Sequence, residues 1–424
     1  MSDRLTARIL WALLLGGLVG VLLQSVDQHW AKQWLVDGLF LVLGKWFVAL
    51  LMLMVVPLVF VSLVKGVAQL GASKRLGRLS GLTLVIYVFT TMLAIATGLL
   101  LANWFQPGVG LSLLASASST STPPNLVELL IAIVPSNPIA AMSQGNMLQV
   151  IVFAVLFGLA LSVLNNPTLS SPVLALFDGL EAIFIRMVGL VMWLAPVGVF
   201  ALMARSMASQ GLDLLAPLMV YFLTVVVALL LHATLTYASL FRLLTGLSPR
   251  HLYRRLKEVL TVSFSTSSSA ATLPVTLATT QRLGISNQVS SFTIPLGATI
   301  NMDGTAIMQG VATVFIANAY GLTLAPSDYL LVMLTATLAS IGTAAVPGAG
   351  LIMLTMVLMQ VGLPVEGIAL ILGVDRLLDM MRTSVNVTGD IVVTTIVAKK
   401  LDALDESVFI SDTSQEDSTA SSYK

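Results

Sequence analysis

Five charged residues lie within one long apolar segment near the carboxyl end of the chain. They are Asp375, Arg376, Asp379, Arg382 and Asp390. Each ionised side chain at the middle of a membrane helix costs about 2.5–3.5 kcal/mol on insertion scales. In a helix, Asp375, Asp379, Arg382 and Asp390 fall on one face. This face must therefore line a polar cavity or contact protein.

The types of these residues indicate a binding site for a charged molecule. An arginine such as Arg382 binds a carboxylate through two parallel hydrogen bonds, and Asp379, one turn away, suits an ammonium group. Asn386 continues the same face, whereas Arg376 lies one step off it and is expected to neutralise nearby acids. The alternative is that the charges only pair with one another, as Asp379 with Arg382.

Small polar residues interrupt the apolar sequence before this segment. The runs are SFSTSSSAATLP at 263–274, NMDGT at 301–305 and ASIGTAAVPGAG at 339–350. Unwound backbone at membrane depth persists only where protein or a water-filled cavity satisfies it. Each hairpin-like run precedes a helix with Asn, Gly and Asp, and paired interruptions of this kind indicate a transporter's binding site. The alternative is two Gly/Ser faces for helix packing.

The two aspartates next to Asn and Gly indicate a cation site. Asp303 and Asp390 supply hard oxygen ligands that suit Na⁺. Half-helices at hairpin tips offer free N–H groups and positive dipole ends to a carboxylate. An arginine, an aspartate and backbone N–H groups in one cavity favour an acidic amino acid as the ligand.

The composition of the 424 residues places these features in a membrane. Hydrophobic residues make up 57% and charged residues 10%, against about 25% charged in soluble proteins; the mean hydropathy is +0.96. The net charge of +1 excludes a nucleic-acid binder. With no cysteine and three histidines, thiolate metal sites and multi-histidine sites are not expected.

Six apolar segments that precede the interrupted region are predicted to cross the membrane. They cover about residues 9–26, 40–67, 82–105, 126–164, 173–207 and 214–240. Lys and Arg cluster at 4–8, 65–78 and 242–257, whereas the loop 106–124 has neither, so both termini are predicted to be cytoplasmic. The polar end from Lys399 onward is predicted to be disordered.

The four motifs SFSTSSSAATLP, IPLGATINMDGTA, ASIGTAAVPGAG and DRLLDMMRTSVNVTGD resemble the signatures of the glutamate/aspartate transporter family, the dicarboxylate/amino-acid:cation symporters. The resemblance implies an all-α integral membrane protein with eight transmembrane helices plus two re-entrant helical hairpins. It also implies inverted repeats, an elevator-type transporter and a homotrimer in the bacterial inner membrane. It implies no enzyme activity and no cofactor, with Na⁺ as the co-transported ion and membrane lipid and a small acidic amino acid as partners.

The resemblance also assigns residues to the sites. The substrate-binding residues it implies are Ser268, Ser269, Thr305, Val346, Gly350, Asp379, Arg382, Thr383 and Asn386. One sodium site resembles Gly297, Asn301, Asn386 and Asp390. A second sodium site uses Thr299, Met302, Ser340, Ile341 and Thr343. A third resembles Thr90, Thr91, Asn301 and Asp303.

The predicted organisation has five parts. Residues 1–80 hold helices 1 and 2, 81–125 hold helix 3 and an extracellular-side loop, 126–250 hold helices 4–6, 251–400 hold the transport core and 401–424 form the tail. Helices 2, 4 and 5 are expected to belong to the scaffold, and the transport core comprises hairpin 1, helix 7, hairpin 2 and helix 8.

Two departures from the family pattern bear on the interpretation. Some members have Arg where this chain has Ser267, and Arg376 is one source of a compensating charge. Proton-coupled members commonly carry Asn at the Asp390 position, so Asp390 favours sodium. The main alternative is a proton-coupled glutamate or C4-dicarboxylate symporter. A membrane hydrolase using a serine of 265–269 would need a base, and His232 stands alone in an apolar helix; a channel is the other alternative.

Overall fold

The structure is a computed structural model that describes residues 2–25, 30, 32–71, 77–111, 134–164, 166–341 and 348–411. These residues form helices, with one isolated β-bridge between Ile285 and Leu404. The first half contains α1 (Ser2–Ser25), a π-helix (Lys32–Phe40) that continues into α2 (Leu41–Gly71), α3 (Gly77–Phe105), α4 (Pro138–Gln144), α5 (Met147–Val163), α6 (Pro167–Trp193), α7 (Ala195–Gln210) and α8 (Leu215–Leu231).

The second half begins with a π-helix, His232–Thr236, that joins α8 to α9. It contains α9 (Tyr237–Thr245), α10 (Pro249–Arg254), α11 (Lys257–Thr266), α12 (Ser269–Arg282), α13 (Asn287–Ile300), α14 (Asp303–Ala319), α15 (Pro326–Ile341), α16 (Ala349–Gln360), α17 (Ile368–Lys400) and α18 (Glu406–Ile410).

Four helical stretches in the described ranges are long and apolar enough to cross a membrane. They are Ala7–Ser25, Lys32–Ala68, Arg78–Phe105 and Gly211–Thr245. Their surfaces suit lipid, since Leu18 and Leu22 of α1 are each 63% exposed, and leucines at helical spacing on one exposed face would be costly in water. The predicted count of eight transmembrane helices stays a prediction.

The segment predicted as one helix over 173–207 is two helices. α6 and α7 meet at Leu194 with a bend of 49° and make a further span if taken together. Pro196 lies in the first turn of α7, where proline is tolerated because its missing N–H would have no intrahelical partner there. The apolar pattern runs through the bend without a change, which is why hydropathy alone predicts one helix.

Two helices of the interrupted region form its centre. α14 is buried along almost its whole length and packs against α3, α8 and α17. α17 runs unbroken for 33 residues, through the polar sequence at 386–390, and contacts α11, α13 and α14. Most residues of α17 from Ile368 to Ala398 are buried, so its charged face lies within protein.

Both predicted hairpins have a helix on each side. α11 and α12 pack against each other and turn at Ser267, which has a φ of 49°. α15 and α16 also pack together, and α16 is preceded by Gly348 with a φ of 83°. Several predicted features lie outside the described residues: Lys74, Arg75, the 112–124 part of the loop, residues 126–133, the tip at 342–347 and residues 412–424.

The prediction of a disordered end is wrong for residues 401–411. Asp405 caps α18 by accepting hydrogen bonds from the N–H groups of Ser407 and Val408, and the Ser407 hydroxyl and these N–H groups lower the pKa of its carboxyl. Phe409 is fully buried and stacks on Phe241. The burial of Phe409, the cap at Asp405 and the hydrogen bonds of Arg255 to the carbonyls of Val408 and Ser411 hold a segment that is otherwise polar.

Candidate functional site

The polar face of α17 forms an ion cluster centred on Arg382, which is fully buried. Its Nη1 donates to Asp375 Oδ1 at 2.6 Å and its Nη2 to Asp379 Oδ1 at 2.8 Å. The other oxygen of Asp379 accepts from Arg376 at 3.4 Å and from the N–H of Gly348 at 3.3 Å. The pairing that sequence spacing indicated is therefore present, and the two cations balance the two acids.

The tips of two helices approach this cluster. Thr305, in the first turn of α14, and Gly350, in the first turn of α16, lie so close that a Cβ on Gly350 would be 3.0 Å from the Thr305 methyl and 3.5 Å from Arg382 Nη2. Thr383 is buried and donates to the carbonyl of Asp379. Four of the predicted substrate residues, Thr305, Gly350, Asp379 and Arg382, thus come together around one guanidinium.

Two further predicted substrate residues, Ser268 and Ser269, lie in the first predicted hairpin. Ser268 caps α12, accepting from the N–H of Ala271 at 3.2 Å, and Ser269 beside it is buried. Their hairpin packs on α17 through both of its helices, and Ser263 of α11 bonds Ser384. Val346 lies outside the described residues.

Asn386 links the ion cluster to a second polar group. Its Oδ1 accepts from the N–H of Gly304 at 2.7 Å, and its carbonyl accepts from Asn301 Nδ2 at 3.0 Å. The chain is non-helical at Asn301 and Met302, between α13 and α14, as the NMDGT motif predicts. This break turns the Asn301 side chain toward α17.

The residues predicted for the first cation site lie around Asp390. Asn301 Nδ2 also donates to Asp390 Oδ1 at 2.9 Å, and the Cα of Gly297 lies so near that an added Cβ would overlap Asp390 Oδ1 and the Tyr87 hydroxyl. With Asn386, all four predicted residues meet here. Asn301 Oδ1 is buried and has no hydrogen-bond partner among the described residues.

Asp303 forms a neighbouring group with residues of α3, the π-helix His232–Thr236 and the start of α9. The hydroxyls of Thr91 and Tyr237 donate to its two oxygens at 2.6 Å and 2.8 Å, and His232 Nε2 lies 3.2 Å from Oδ2. Asp303 is fully buried. Thr90, by contrast, bonds the carbonyl of Tyr87 within its own helix.

The other predicted cation set is assembled only in part. Ser340 Oγ donates to the carbonyl of Ile300 at 2.6 Å and accepts from the N–H of Met302 at 3.2 Å. Ile341 ends α15 just beyond Ser340. Thr299 bonds the carbonyl of Leu296 in its own helix, and Thr343 lies outside the described residues.

A buried acceptor with no donor suits a cation as ligand. Asp390 contacts Asn301, whose Oδ1 has no hydrogen-bond partner among the described residues, and Asp303 lies two residues further along the chain. A buried oxygen without a hydrogen-bond partner destabilises the folded protein by about 1–3 kcal/mol. A small hard cation prefers oxygen donors of this kind. This donor set fits a small hard cation such as Na⁺.

Comparison with known proteins shows the family of this chain. A family model described as the sodium:dicarboxylate symporter family matches residues 5–400. The chain belongs to this family. Like the family, it is a transporter and not an enzyme, so the hydrolase alternative is excluded.

Relatives of this symporter with curated names share about a third of its residues. The proton/glutamate-aspartate symporter of Escherichia coli K12 is 37% identical over 403 residues, which cover 92% of each chain. The proton/sodium-glutamate symport protein of Bacillus caldotenax is 34% identical, covering 92% of this chain and 93% of the relative. The C4-dicarboxylate transport protein of Bacillus subtilis is 32% identical, covering 96% of each.

Three residues of these polar groups are not among the site residues that the sequence predicts. His232 and Tyr237 contact Asp303, and the Tyr87 hydroxyl lies beside Asp390 and donates to the Thr293 carbonyl at 3.1 Å. His232 was interpreted as a lone histidine of an apolar helix. A polar side chain in such a helix is costly unless it has a partner, and this cost is the one sequence signal for a buried acid near His232.

Proposed function

We propose that this protein is a secondary active symporter that couples Na⁺ entry to the uptake of aspartate or glutamate across the bacterial inner membrane. The family and its transport activity stand on the comparison above. The acidic amino acid, the sodium ion and the membrane are inferred from the two polar groups on α17.

The observation that carries the substrate assignment is the environment of Arg382. Its guanidinium has five N–H donors, and Nε has no hydrogen-bond partner among the described residues. The first turns of α14 and α16 approach it, and helix N-termini favour anions. The side-chain carboxylate of a substrate beside Thr305 and Gly350 would accept hydrogen bonds from these N–H groups, while Asp379 would bind the substrate's ammonium group.

In this proposal Ser268, Ser269 and Val346 of the hairpin tips hold the backbone of the amino acid, together with Thr383 and Asn386. The Arg376 contact with Asp379 keeps the cluster neutral before the substrate arrives. Each acidic amino acid brings two carboxylates and one ammonium group, so at least one cation must accompany it if the buried cluster is to stay neutral.

Sodium is the cation favoured by the ligand set. The proposed first site comprises Gly297, Asn301, Asn386 and Asp390, and the unpartnered Asn301 Oδ1 would complete its coordination. Thr90, Thr91, Asn301 and Asp303 would form another site. The carbonyls around Thr299, Met302, Ser340, Ile341 and Thr343 would form a third. Sodium is cargo here, and no cofactor is proposed.

Transport would proceed by an elevator movement within a homotrimer. α16 packs on α2, so the second hairpin lies against a predicted scaffold helix. The small residues of 339–350 allow this hairpin to open and close over the substrate. Both termini would be cytoplasmic.

The alternative is a proton-coupled glutamate or C4-dicarboxylate symporter. It is supported by the names of two relatives, the proton/glutamate-aspartate symporter at 37% identity and the C4-dicarboxylate transport protein at 32%. A C4-dicarboxylate has no ammonium group, so the buried Asp379 favours an amino acid.

Uptake into proteoliposomes tests the proposal when sodium and proton gradients are imposed separately. A sodium gradient alone should drive accumulation of labelled aspartate. Accumulation that follows a proton gradient without sodium would overturn the sodium assignment, and exchange of labelled succinate but not aspartate would overturn the amino-acid assignment.

A further inference from the structure

An apolar groove of about 560 Å³ lies behind the charged face of α17. Met381, Ser384, Val385 and Thr388 of α17 line it, on the side of the helix opposite Arg382. Leu230 and Ala233 of the α8 region and Phe264 of α11 form its other walls. Its volume falls within the roughly 300–1,000 Å³ of small-molecule sites.

Hydroxyl groups around the groove already donate hydrogen bonds to main-chain carbonyls. Thr234 donates to the carbonyl of Leu230 at 2.6 Å, and Thr388 to that of Ser384 at 2.7 Å. The hydroxyl of Tyr253 donates to the carbonyl of Ala233, which lies in the π-helix. Because these groups back-bond to the main chain, the lining offers methyl and methylene surface. The occupant must therefore be apolar where it lies in the groove.

The groove is open at the side of the protein. At its rim, Leu230 is 54% exposed and Phe264 38% exposed. Leu230 belongs to the apolar stretch Gly211–Thr245, which is long enough to cross a membrane. In a membrane the opening would therefore face the hydrocarbon layer, where the available apolar molecules are lipid acyl chains.

Cations lie at one end of the groove. Lys257 is exposed and precedes the lining residue Thr261 by one helical turn. Arg250 is exposed and precedes the lining residue Tyr253 by one turn. The nearby acid Glu258 pairs with Arg282 at 2.6 Å. This end of the groove thus presents positive charge to the membrane surface, which attracts anionic headgroups.

We propose that the groove holds one acyl chain of an anionic phospholipid, whose headgroup contacts Lys257 and Arg250. The chain would lie between α11, an arm of the first hairpin, and the back of α17. It would thus act as a wedge that sets how closely the hairpin packs on the substrate helix. The proposal does not depend on which amino acid or ion is carried.

Photo-crosslinking tests the proposal on the full chain in nanodiscs. The probes are a phosphatidylglycerol and a phosphatidylcholine with the same diazirine-bearing acyl chain, and the labelled peptides are mapped by mass spectrometry. Phosphatidylglycerol should label residues 229–234, 260–265 or 381–388. Each cation near the surface contributes about fivefold in affinity, so Lys257→Gln should reduce labelling about fivefold.

Arg242→Gln is the matched control, because Arg242 is an exposed cation on the last turn of α9 that does not line the groove. Phosphatidylglycerol should label the groove peptides of the Arg242→Gln protein to the same extent as those of the parent. Thr261→Trp, which fills the groove, should abolish labelling there, and the comparison of Lys257→Gln with Arg242→Gln is decisive even if Thr261→Trp does not fold.

Equal labelling by both lipids would overturn the anionic headgroup, and labelling at other peptides would overturn the groove. Equal loss in Lys257→Gln and Arg242→Gln would mean a diffuse surface effect and would also overturn the proposal. Disulfide crosslinks between two chains carrying Thr234→Cys would show that a second copy covers the groove instead.

Discussion

Buried charge is compensated differently in the two polar groups along α17, the ion cluster around Arg382 and the group formed by Asp390 and Asp303. Around Arg382, two arginines and two aspartates face one another, with ion-pair distances from 2.6 to 3.4 Å. About two turns along the helix, Asp390 accepts its hydrogen bond from a neutral amide, Asn301. Asp303 likewise accepts from two hydroxyls and contacts His232.

The difference indicates what each group binds. A neutral ion cluster with a spare N–H can exchange one of its carboxylates for that of a ligand, so it suits an anion. Acids that are held by neutral donors keep an unbalanced negative charge when they are ionised, which is costly in a buried site. A cation removes that cost. The difference therefore supports the proposal that the ion cluster binds the amino acid and that Asp303 and Asp390 bind the cation.

Replacing Arg382 should cause the largest loss of aspartate affinity. Removing one partner of a buried charge pair costs about 2–5 kcal/mol, which corresponds to roughly 30-fold to several-thousand-fold in affinity. Arg382→Cys should nearly abolish aspartate binding in saturating Na⁺, while serine or alanine loses little. Competition of these amino acids against labelled aspartate measures the change.

Arg376→Cys is the control for Arg382→Cys, since it removes a cation from the same helix at the edge of the cluster. Arg382→Lys keeps the charge and should give an intermediate loss, because lysine lacks the planar fork. Equal loss for all amino acids in Arg382→Cys would mean that Arg382 only neutralises Asp375 and Asp379.

Replacing Asp390 should mainly weaken cation binding. Two unit charges about 4 Å apart interact by about 4 kcal/mol at an effective dielectric constant of 20. Asp390→Asn should therefore raise the Na⁺ concentration for half-maximal aspartate binding roughly tenfold to a thousandfold. Titration of aspartate binding with Na⁺ measures it. Asp405→Asn, an exposed acid on the C-terminal segment, should leave the titration unchanged; an unchanged titration in Asp390→Asn itself would remove Asp390 from the cation site.

Gly304→Ala should weaken both groups together. A Cβ at this position would lie 2.6 Å from the carbonyl oxygen of Arg382, and overpacking of this kind costs about 1–3 kcal/mol. Aspartate and Na⁺ affinity should both fall, along with the melting temperature. Gly310→Ala on the same helix is the control, because its Cβ would meet its nearest neighbours at 3.4 Å. Loss of one affinity alone would show that the two groups are independent.

Shortening the chain should have the smallest effect on either group. Ending it after Ser411 should leave aspartate binding, its Na⁺ dependence and the melting temperature unchanged. Ending it after Asp405 removes the buried Phe409, and losing a buried phenylalanine side chain costs about 3–5 kcal/mol. The melting temperature should fall while the remaining folded protein binds aspartate with parental affinity. A melting temperature equal to that of the full chain would contradict the role of Phe409.

The sequence could predict the parts of the site that local rules govern. The spacing of Asp375, Asp379 and Arg382 indicates one helical face, and NMDGT indicates a break in the helix. The contacts of Asp303 with His232 and Tyr237 join residues 71 and 66 positions apart. They depend on a π-helix that no composition signal marks, so they required the structure.

The same limit explains the two features that the sequence predicted wrongly. The bend at Leu194 lies within continuous apolar sequence, and a proline in the first turn of α7 is compatible with either one kinked helix or two helices. Phe409 lies in a polar segment, and its burial depends on Phe241, far away in the chain. In both places tertiary packing decides what the local pattern leaves open.

If the two groups bind as proposed, the hydrogen bonds of Asn386 would couple them thermodynamically. Its side chain accepts from Gly304 next to Thr305, and its carbonyl accepts from Asn301 next to Asp390. A ligand that shifts Asn386 from either side changes the free energy of binding at the other. Such coupling is reciprocal and typically amounts to about 1–3 kcal/mol. If Na⁺ raises aspartate affinity by some factor, aspartate must raise Na⁺ affinity by the same factor, so a carrier loaded with only one of them becomes a minor species.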